Sequence, residues 1–259
     1  MQIIQGAEPH RSPGRGEHAD VAVLMVHGIT STPQMVRPVA ERVAEEGYAV
    51  AAPLLPGHGT RWQDMAQTRY ADWLRAVVQA AEELRREHRT VVAFGVSLGG
   101  ALITDIAARR PELFDGLVLV NPAFIATDWR LRVIPHVKHF VPVAQGIADD
   151  IRREGPPREL AYRWTPLKAF HSFVEQWPRV VEQLPDVHQP VLLIRGRHDR
   201  VVPPLSAELF LQNVGSEDVT TRWLEESAHV ATLDHDAEEL IDETLRFVER
   251  VAAAGAGSP

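Results

Sequence analysis

The chain of 259 residues has no cysteine. Disulfides, thiolate nucleophiles and cysteine-ligated metals are therefore excluded. Positive charge is also scarce: 27 Lys and Arg stand against 35 Asp and Glu, a formal net charge of −8. So acidic a chain repels polyphosphate, and nucleic acid is not an expected partner. Long apolar runs are missing too. Val21 to Val26 is the most apolar stretch and is far too short to cross a bilayer, so no transmembrane segment is expected. The first six residues lack the basic region and apolar run of an export signal, which makes the cytoplasm the expected location. No internal period recurs. The histidines are scattered without metal-ligand spacing such as H-E-x-x-H, so no metal site is expected.

Hydrophobic residues make up 45% of the chain and charged residues 24%, the composition of an ordinary globular enzyme. The length suits one large domain, or one domain carrying an insertion. Short apolar runs alternate with helical patterns. Strands are expected at Val21–Val26, Tyr48–Ala52, Thr90–Phe94, Gly116–Val120, Pro190–Arg195 and Val219–Leu224. Between them, Val36, Val39, Ala40, Val43 and Ala44 have helical spacing after a start at Ser31-Thr32-Pro33, and Gly47 ends the pattern. Asp72 is placed to cap a second helix carrying Leu74, Val77, Val78, Ala81 and Leu84. A helix over Ala237–Ala253 closes the chain, and the tail Ala252–Pro259 is expected to be disordered. Strand alternating with helix predicts an α/β fold: a mostly parallel central sheet flanked by helices.

One interval breaks the rhythm. Residues 122–188 show no strong strand and are rich in proline and bulky apolar residues: Phe124, Trp129, Phe140, Trp164, Phe170, Phe173 and Trp177. That is too long for a plain connection. The expectation is a core formed by residues 1–121 and 189–259, with 122–188 as a small helical cap insertion and its connecting helices. The alternative is an extra pair of core helices.

Gly95-Val96-Ser97-Leu98-Gly99 fits G-x-S-x-G between an apolar strand and a helical pattern, the context this motif requires. With 17 glycines and 8 serines in the chain, chance placement gives the motif roughly 0.03 times. A serine hydroxyl needs a base beside it to act as a nucleophile. On such a strand-turn-helix elbow the partners follow in the order Ser, Asp or Glu, His. His10, His18, His27, His58 and His88 precede Ser97 and are excluded as the base. His229 sits just after the last strand and before the final helix, and is the candidate. Of the other histidines, His136, His139 and His171 fall in the insertion, His235 flanks the last helix, and His198 reads as a solvated turn residue. Asp199 follows the strand ending at Arg195-Gly196 and is the candidate to orient His229, whereas Asp234 and Asp236 come after the histidine. The oxyanion needs two backbone N–H donors. Leu98 supplies one, and Ile29, in His27-Gly28-Ile29-Thr30, is the choice for the other. His27 reads as a structural residue that holds this loop, and Gly57-His58-Gly59 as a shaped turn.

With these residues assigned, the chain resembles the bacterial monoacylglycerol lipases and small carboxylesterases of the α/β-hydrolase fold. The matching stretches are residues 27–33, Gly57-His58-Gly59-Thr60, Gly95-Val96-Ser97-Leu98-Gly99-Gly100, Glu159-Leu160-Ala161-Tyr162, residues 198–204 and residues 229–234. The resemblance runs from about Gly6 to Asp236. It implies a mobile cap over an apolar acyl tunnel, with Glu159 against the polar head of a monoglyceride and Ile147 at the cap mouth. The segment Thr127 to Arg153 matches the family least, and it is the part expected to decide the substrate.

The expected activity is carboxylic-ester hydrolysis through an acyl-Ser97 intermediate, on a small-molecule ester or monoacylglycerol, without metal or organic cofactor. Two alternatives stay open. One is a short- to medium-chain carboxylesterase, or a lactone or amide hydrolase. The other is a non-catalytic binding protein on the same fold.

Overall fold

The computed structural model describes residues 2–146 and 148–256. Its strands are β1 (His10–Ser12), β2 (Val21–Val26), β3 (Ala49–Ala52), β4 (Thr90–Val96), β5 (Gly116–Val120), β6 (Val143–Gln145), β7 (Trp164–Pro166), β8 (Val191–Gly196) and β9 (Val219–Leu224). Its helices are α1 (Arg37–Glu45), α2 (Trp62–Met65), α3 (Tyr70–Glu87), α4 (Leu98–Arg109), α5 (Ile134–Val137), α6 (Leu167–Val174), α7 (Trp177–Glu182), α8 (Pro204–Asn213) and α9 (Ala237–Ala256). The main sheet has the order β1-β3-β2-β4-β5-β8-β9. Every pair in it is parallel except β1 with β3.

The inner strands are unbroken apolar runs because both of their faces are covered. In β2, Ala22, Leu24 and Val26 point into one core cluster, while Val21, Val23 and Met25 point into the other. The first cluster is roofed by α3, α4, α6, α7 and α8, and the second by α1 and α9. Helix α4 is buried from Leu98 to Ala107. It lies between the sheet and the helices α3 and α7, so it has no solvated face on which to show an amphipathic pattern.

Register aligns the ends of the strands. β2 and β4 pair from Val21↔Thr90 to Val26↔Gly95, so the loop after β2 sits beside the turn after β4. β8 and β9 pair from Val191↔Val219 to Gly196↔Leu224, which brings the loops holding Asp199 and His229 together. Ligands in open parallel sheets bind at this carboxyl edge.

The structure differs from expectation in several places. Asp72 is not the cap of α3. It stands in the first turn and accepts the Arg69 N–H at 2.9 Å, with Arg69 at the cap position. α9 continues to Ala256, so residues 252–256 are helical rather than disordered; residues 257–259 lie outside the described residues. β1 carries no alternating pattern and was not expected. Within 122–188, β6 and β7 pair antiparallel beside the short helix α5, so the interval is not helical alone. It also divides in two. Trp129, Phe140 and Trp164 are exposed, Trp129 at 71% and Phe140 at 87%. Phe173, Trp177 and Val180, on α6 and α7, are buried in the first core cluster.

Candidate active site

Ser97 occupies the turn between β4 and α4 with φ 55 and ψ −113, a conformation that L-residues rarely adopt. The fold tolerates it because both flanking glycines are sterically required. A Cβ on Gly95 would lie 2.5 Å from the carbonyl carbon of Gly99, and one on Gly99 would lie 2.1 Å from the Val26 carbonyl oxygen. The Ser97 N–H donates to the Val120 carbonyl at 3.0 Å, and the Ser97 carbonyl accepts from Ala101 and Ala123 at 3.2 and 3.3 Å. The serine is thus tied to its own helix and to the end of β5.

Ser97 shares a small cavity with Gly28, Ile29, Met35, Ala148, Glu159 and His229. Its volume is about 10 Å³, room for about one water molecule. Ile29 therefore lines the same cavity as the nucleophile. Leu98 is the first residue of α4, so its N–H has no carbonyl one turn back to bond. The loop bearing Ile29 is held by His27. The His27 Nε2 accepts the Leu55 N–H at 3.2 Å, which leaves Nδ1 to donate to the Gly28 carbonyl at 2.8 Å. That pattern uses a neutral imidazole.

His229 is buried in the loop after β9, and its Nδ1 lies 3.0 Å from Asp199 Oδ2. With Nδ1 bonded to a carboxylate, Nε2 is the nitrogen able to take a proton. Asp199 is itself anchored. Its Oδ1 accepts the N–H groups of Val201 and Val202 at 2.8 and 2.9 Å, and Arg195 Nη1 lies 3.3 Å from Oδ2. Burial pushes the Asp199 carboxyl up, but His229, Arg195 and the Val202 N–H outweigh it and hold the group below the usual carboxylate range. Burial pushes His229 down, yet Asp199, Glu159 and Asp150 together hold it above the ordinary histidine value. Glu159 is raised by burial, against the opposing effects of the Asp149 N–H and His229.

The other candidates do not converge here. His136 and His139 are exposed. His171 is buried beside Lys138 and Glu175, at 2.9 and 3.1 Å. Asp234 shapes the His229 loop through the Ala228 N–H, and Asp236 does so through Glu226 and Ser227. Ile147 lies outside the described residues. Among the described residues no group of three or more His, Asp or Glu is placed to hold a metal.

Two positioning groups escape the sequence reading. The Asn121 Nδ2 donates to the His229 carbonyl at 2.8 Å, and its Oδ1 accepts the Gly196 N–H at 2.9 Å. A lone polar residue closing the apolar strand β5 was the available signal. The second is Asp150, whose carboxylate accepts the His229 N–H at 3.2 Å. In sequence it is one of many acidic residues and carries no signal.

A family model described as serine aminopeptidase, S33 (Hydrolase_4) matches residues 17–236. The chain is 32% identical over 255 residues to a thermostable monoacylglycerol lipase of Bacillus sp. (strain H-257), covering 96% of this chain and 97% of that one. It is 26% identical over 236 residues to a carboxylesterase of Bacillus subtilis (strain 168), covering 90% and 94%. A solved structure from work on the metagenome-derived lipolytic enzymes LipS and LipT matches with a TM-score of 0.91 at 37% identity, covering 96% of this chain and 100% of that one. The α/β-hydrolase fold and the serine-hydrolase class expected from sequence agree with these matches.

Proposed function

The chain belongs to the serine aminopeptidase S33 family of α/β-hydrolase-fold serine hydrolases, and we propose that it is a monoacylglycerol lipase releasing fatty acid and glycerol. The observation that carries the reading is the placement of Glu159. It lines the same small cavity as Ser97 and His229, where a carboxylate suits the hydroxyls of a polyol and not an alkyl chain. A second, largely apolar cavity of about 610 Å³ lies under the excursion after β5. Leu131, Ile134, Val137, Leu167, Phe170 and Val202 are among its lining residues, and it extends to the Asp199 loop. A carboxylate beside the nucleophile, in a small cavity that widens as the cap yields, and an apolar cavity for a chain match an ester with a single acyl chain. The exposed Trp129 and Phe140 on the same excursion suit contact with an apolar substrate. The names of the relatives, a monoacylglycerol lipase and a carboxylesterase, support the same chemistry.

In this reading residues 127–146, which carry the exposed Trp129 and Phe140, form the part of the excursion that yields to admit the ester. His229 Nε2 takes the Ser97 proton while Oγ attacks the carbonyl carbon. The oxyanion is held by the N–H groups of Ile29 and Leu98. Asp199 keeps the imidazole oriented and stabilises its cation. The tetrahedral adduct collapses to acyl-Ser97, the C–O bond to glycerol breaks, and His229 returns the proton to the departing alkoxide. Water, deprotonated by His229, then attacks the acyl carbon, the bond to Ser97 Oγ breaks as His229 returns the proton to it, and the fatty acid leaves. The deciding experiment is a substrate panel of mono-, di- and triacylglycerols, simple esters and aminoacyl amides, run on the wild type and Ser97→Ala. Preference for monoacylglycerols is expected. Preference for short simple esters overturns the lipase reading and leaves the triad; preference for amides favours peptidase chemistry.

A further inference from the structure

We propose that Asp150 is a positioning residue that locks the His229 loop to the Asp199 loop from the cap side. The inference rests on the triad assignment above. Asp150 is buried, yet it lies in the excursion between β5 and β8, not in either loop that it binds. Its Oδ2 accepts the N–H of His229 at 3.2 Å and the N–H of Arg200 at 3.1 Å. Its Oδ1 accepts Arg200 Nε at 2.8 Å and lies 2.6 Å from Nη2 of the same side chain. Its carbonyl accepts the Val230 N–H at 3.1 Å. One residue therefore spans the base loop and the acid loop. Asn121 completes the arrangement from the sheet side, where its Nδ2 donates to the His229 carbonyl. Both backbone polar groups of His229 are thus satisfied by side chains from elsewhere in the chain, an arrangement that fixes where the imidazole stands.

The segment around Asp150 is fastened along its length. The Asp149 Oδ1 accepts the Glu159 N–H at 3.2 Å, and its carboxylate pairs with Arg158. The Arg152 and Arg153 N–H groups donate to Asp234 at 3.0 and 2.8 Å. Residues 149–153 therefore form a fixed strap over the triad. Motion of the cap must then occur on the other side of residue 149.

The groups acting on His229 come from two segments: Asp199 from the loop after β8, and Glu159 and Asp150 from the excursion, with Arg195 behind Asp199 and Arg200 behind Asp150. Asp150→Asn preserves shape but sets an amide NH₂ against N–H donors and removes one negative charge. Arg200→Ala, at a side chain 74% exposed, keeps Asp150 and removes its counter-cation.

The test is the rate of fluorophosphonate labelling of Ser97 across pH, alongside kcat and KM on one monoacylglycerol and a thermal melt. For Asp150→Asn, labelling and kcat fall about tenfold to a hundredfold, KM is unchanged, and the acid-limb midpoint moves to lower pH. For Arg200→Ala the midpoint moves the opposite way, to higher pH. Asp150→Asn with wild-type labelling rate and midpoint overturns the proposal. If that variant does not fold, an unmoved or lowered midpoint in Arg200→Ala overturns it instead. Absence of labelling in the wild type refutes the triad assignment itself, an outcome distinct from both.

Discussion

Acidification to pH 5 should destabilise the fold through two buried histidines that lie outside the triad. His27 and His58 are both fully interior, with ring centroids 5.0 Å apart. Burial pushes His27 down to about 3, helped by the neighbouring His58 and opposed by the Gly28 carbonyl. Burial likewise pushes His58 down to about 4, against the carbonyls of Pro56 and Leu55. His58 Nε2 is buried without a partner, so a proton there has nothing to bond. Both groups have folded values below the unfolded 6.5, so the folded chain binds fewer protons than the unfolded one. Their contribution is fully present above pH 6.5 and is lost as pH falls from 6.5 toward 4 for His58 and toward 3 for His27. At pH 5 each costs about 2 kcal/mol, about 4 together, from 1.36 kcal/mol per pH unit. That is a large share of a typical folding stability of about 5–15 kcal/mol. His229 acts with the opposite sign, since its raised value favours the folded form at low pH, and it offsets part of the loss. Urea unfolding at half-unit steps from pH 7.5 to 5 measures the effect. The slope should approach about 2.5 kcal/mol per pH unit near pH 5, and His58→Gln should remove about half of it. A flat profile between pH 6.5 and 5, or an unchanged slope in His58→Gln, rules out these two histidines as the cause.

Other substitutions have distinct signatures. Gly99→Ala drives a Cβ to 2.1 Å from the Val26 carbonyl oxygen and should cost about 3 kcal/mol or more in a thermal melt; a melt within 1 °C of wild type contradicts the steric account of the elbow. Asp199→Asn should lower kcat about 10⁴-fold with little change in KM, and the acid limb of kcat/KM should move to lower pH because the anion that raises His229 is gone. Glu159→Gln should raise KM for monoacylglycerols and leave simple esters nearly unchanged; equal losses on both contradict its head-group role.

Much of the fold was legible because the inner strands are covered on both faces. That makes Val21–Val26, Gly116–Val120 and Val191–Ile194 read as unbroken apolar runs, and five of the six expected strands both begin and end within one residue of those observed. Ser97 announced itself through glycines that no other residue can replace, and the order of the strands then led to Asp199 and His229. What stayed hidden has a common cause. β1, β6 and β7 are three residues long, too short to show a period. Asn121 and Asp150 act on His229 by bonding its backbone across 108 and 79 residues of chain. Such contacts depend on tertiary placement and leave no local spacing. The bulky residues of 122–188 look alike in sequence, although Phe173 and Trp177 are core while Trp129 and Phe140 face solvent. Only the packing of α6 and α7 against the sheet separates them.

The central claim is that Ser97 is an activated nucleophile. Fluorophosphonate treatment followed by peptide mapping tests it most directly. One phosphonyl adduct is expected, on Ser97, formed fastest above the His229 titration and absent from a folded Ser97→Ala variant. An unlabelled native enzyme, or an adduct that persists in Ser97→Ala, contradicts it.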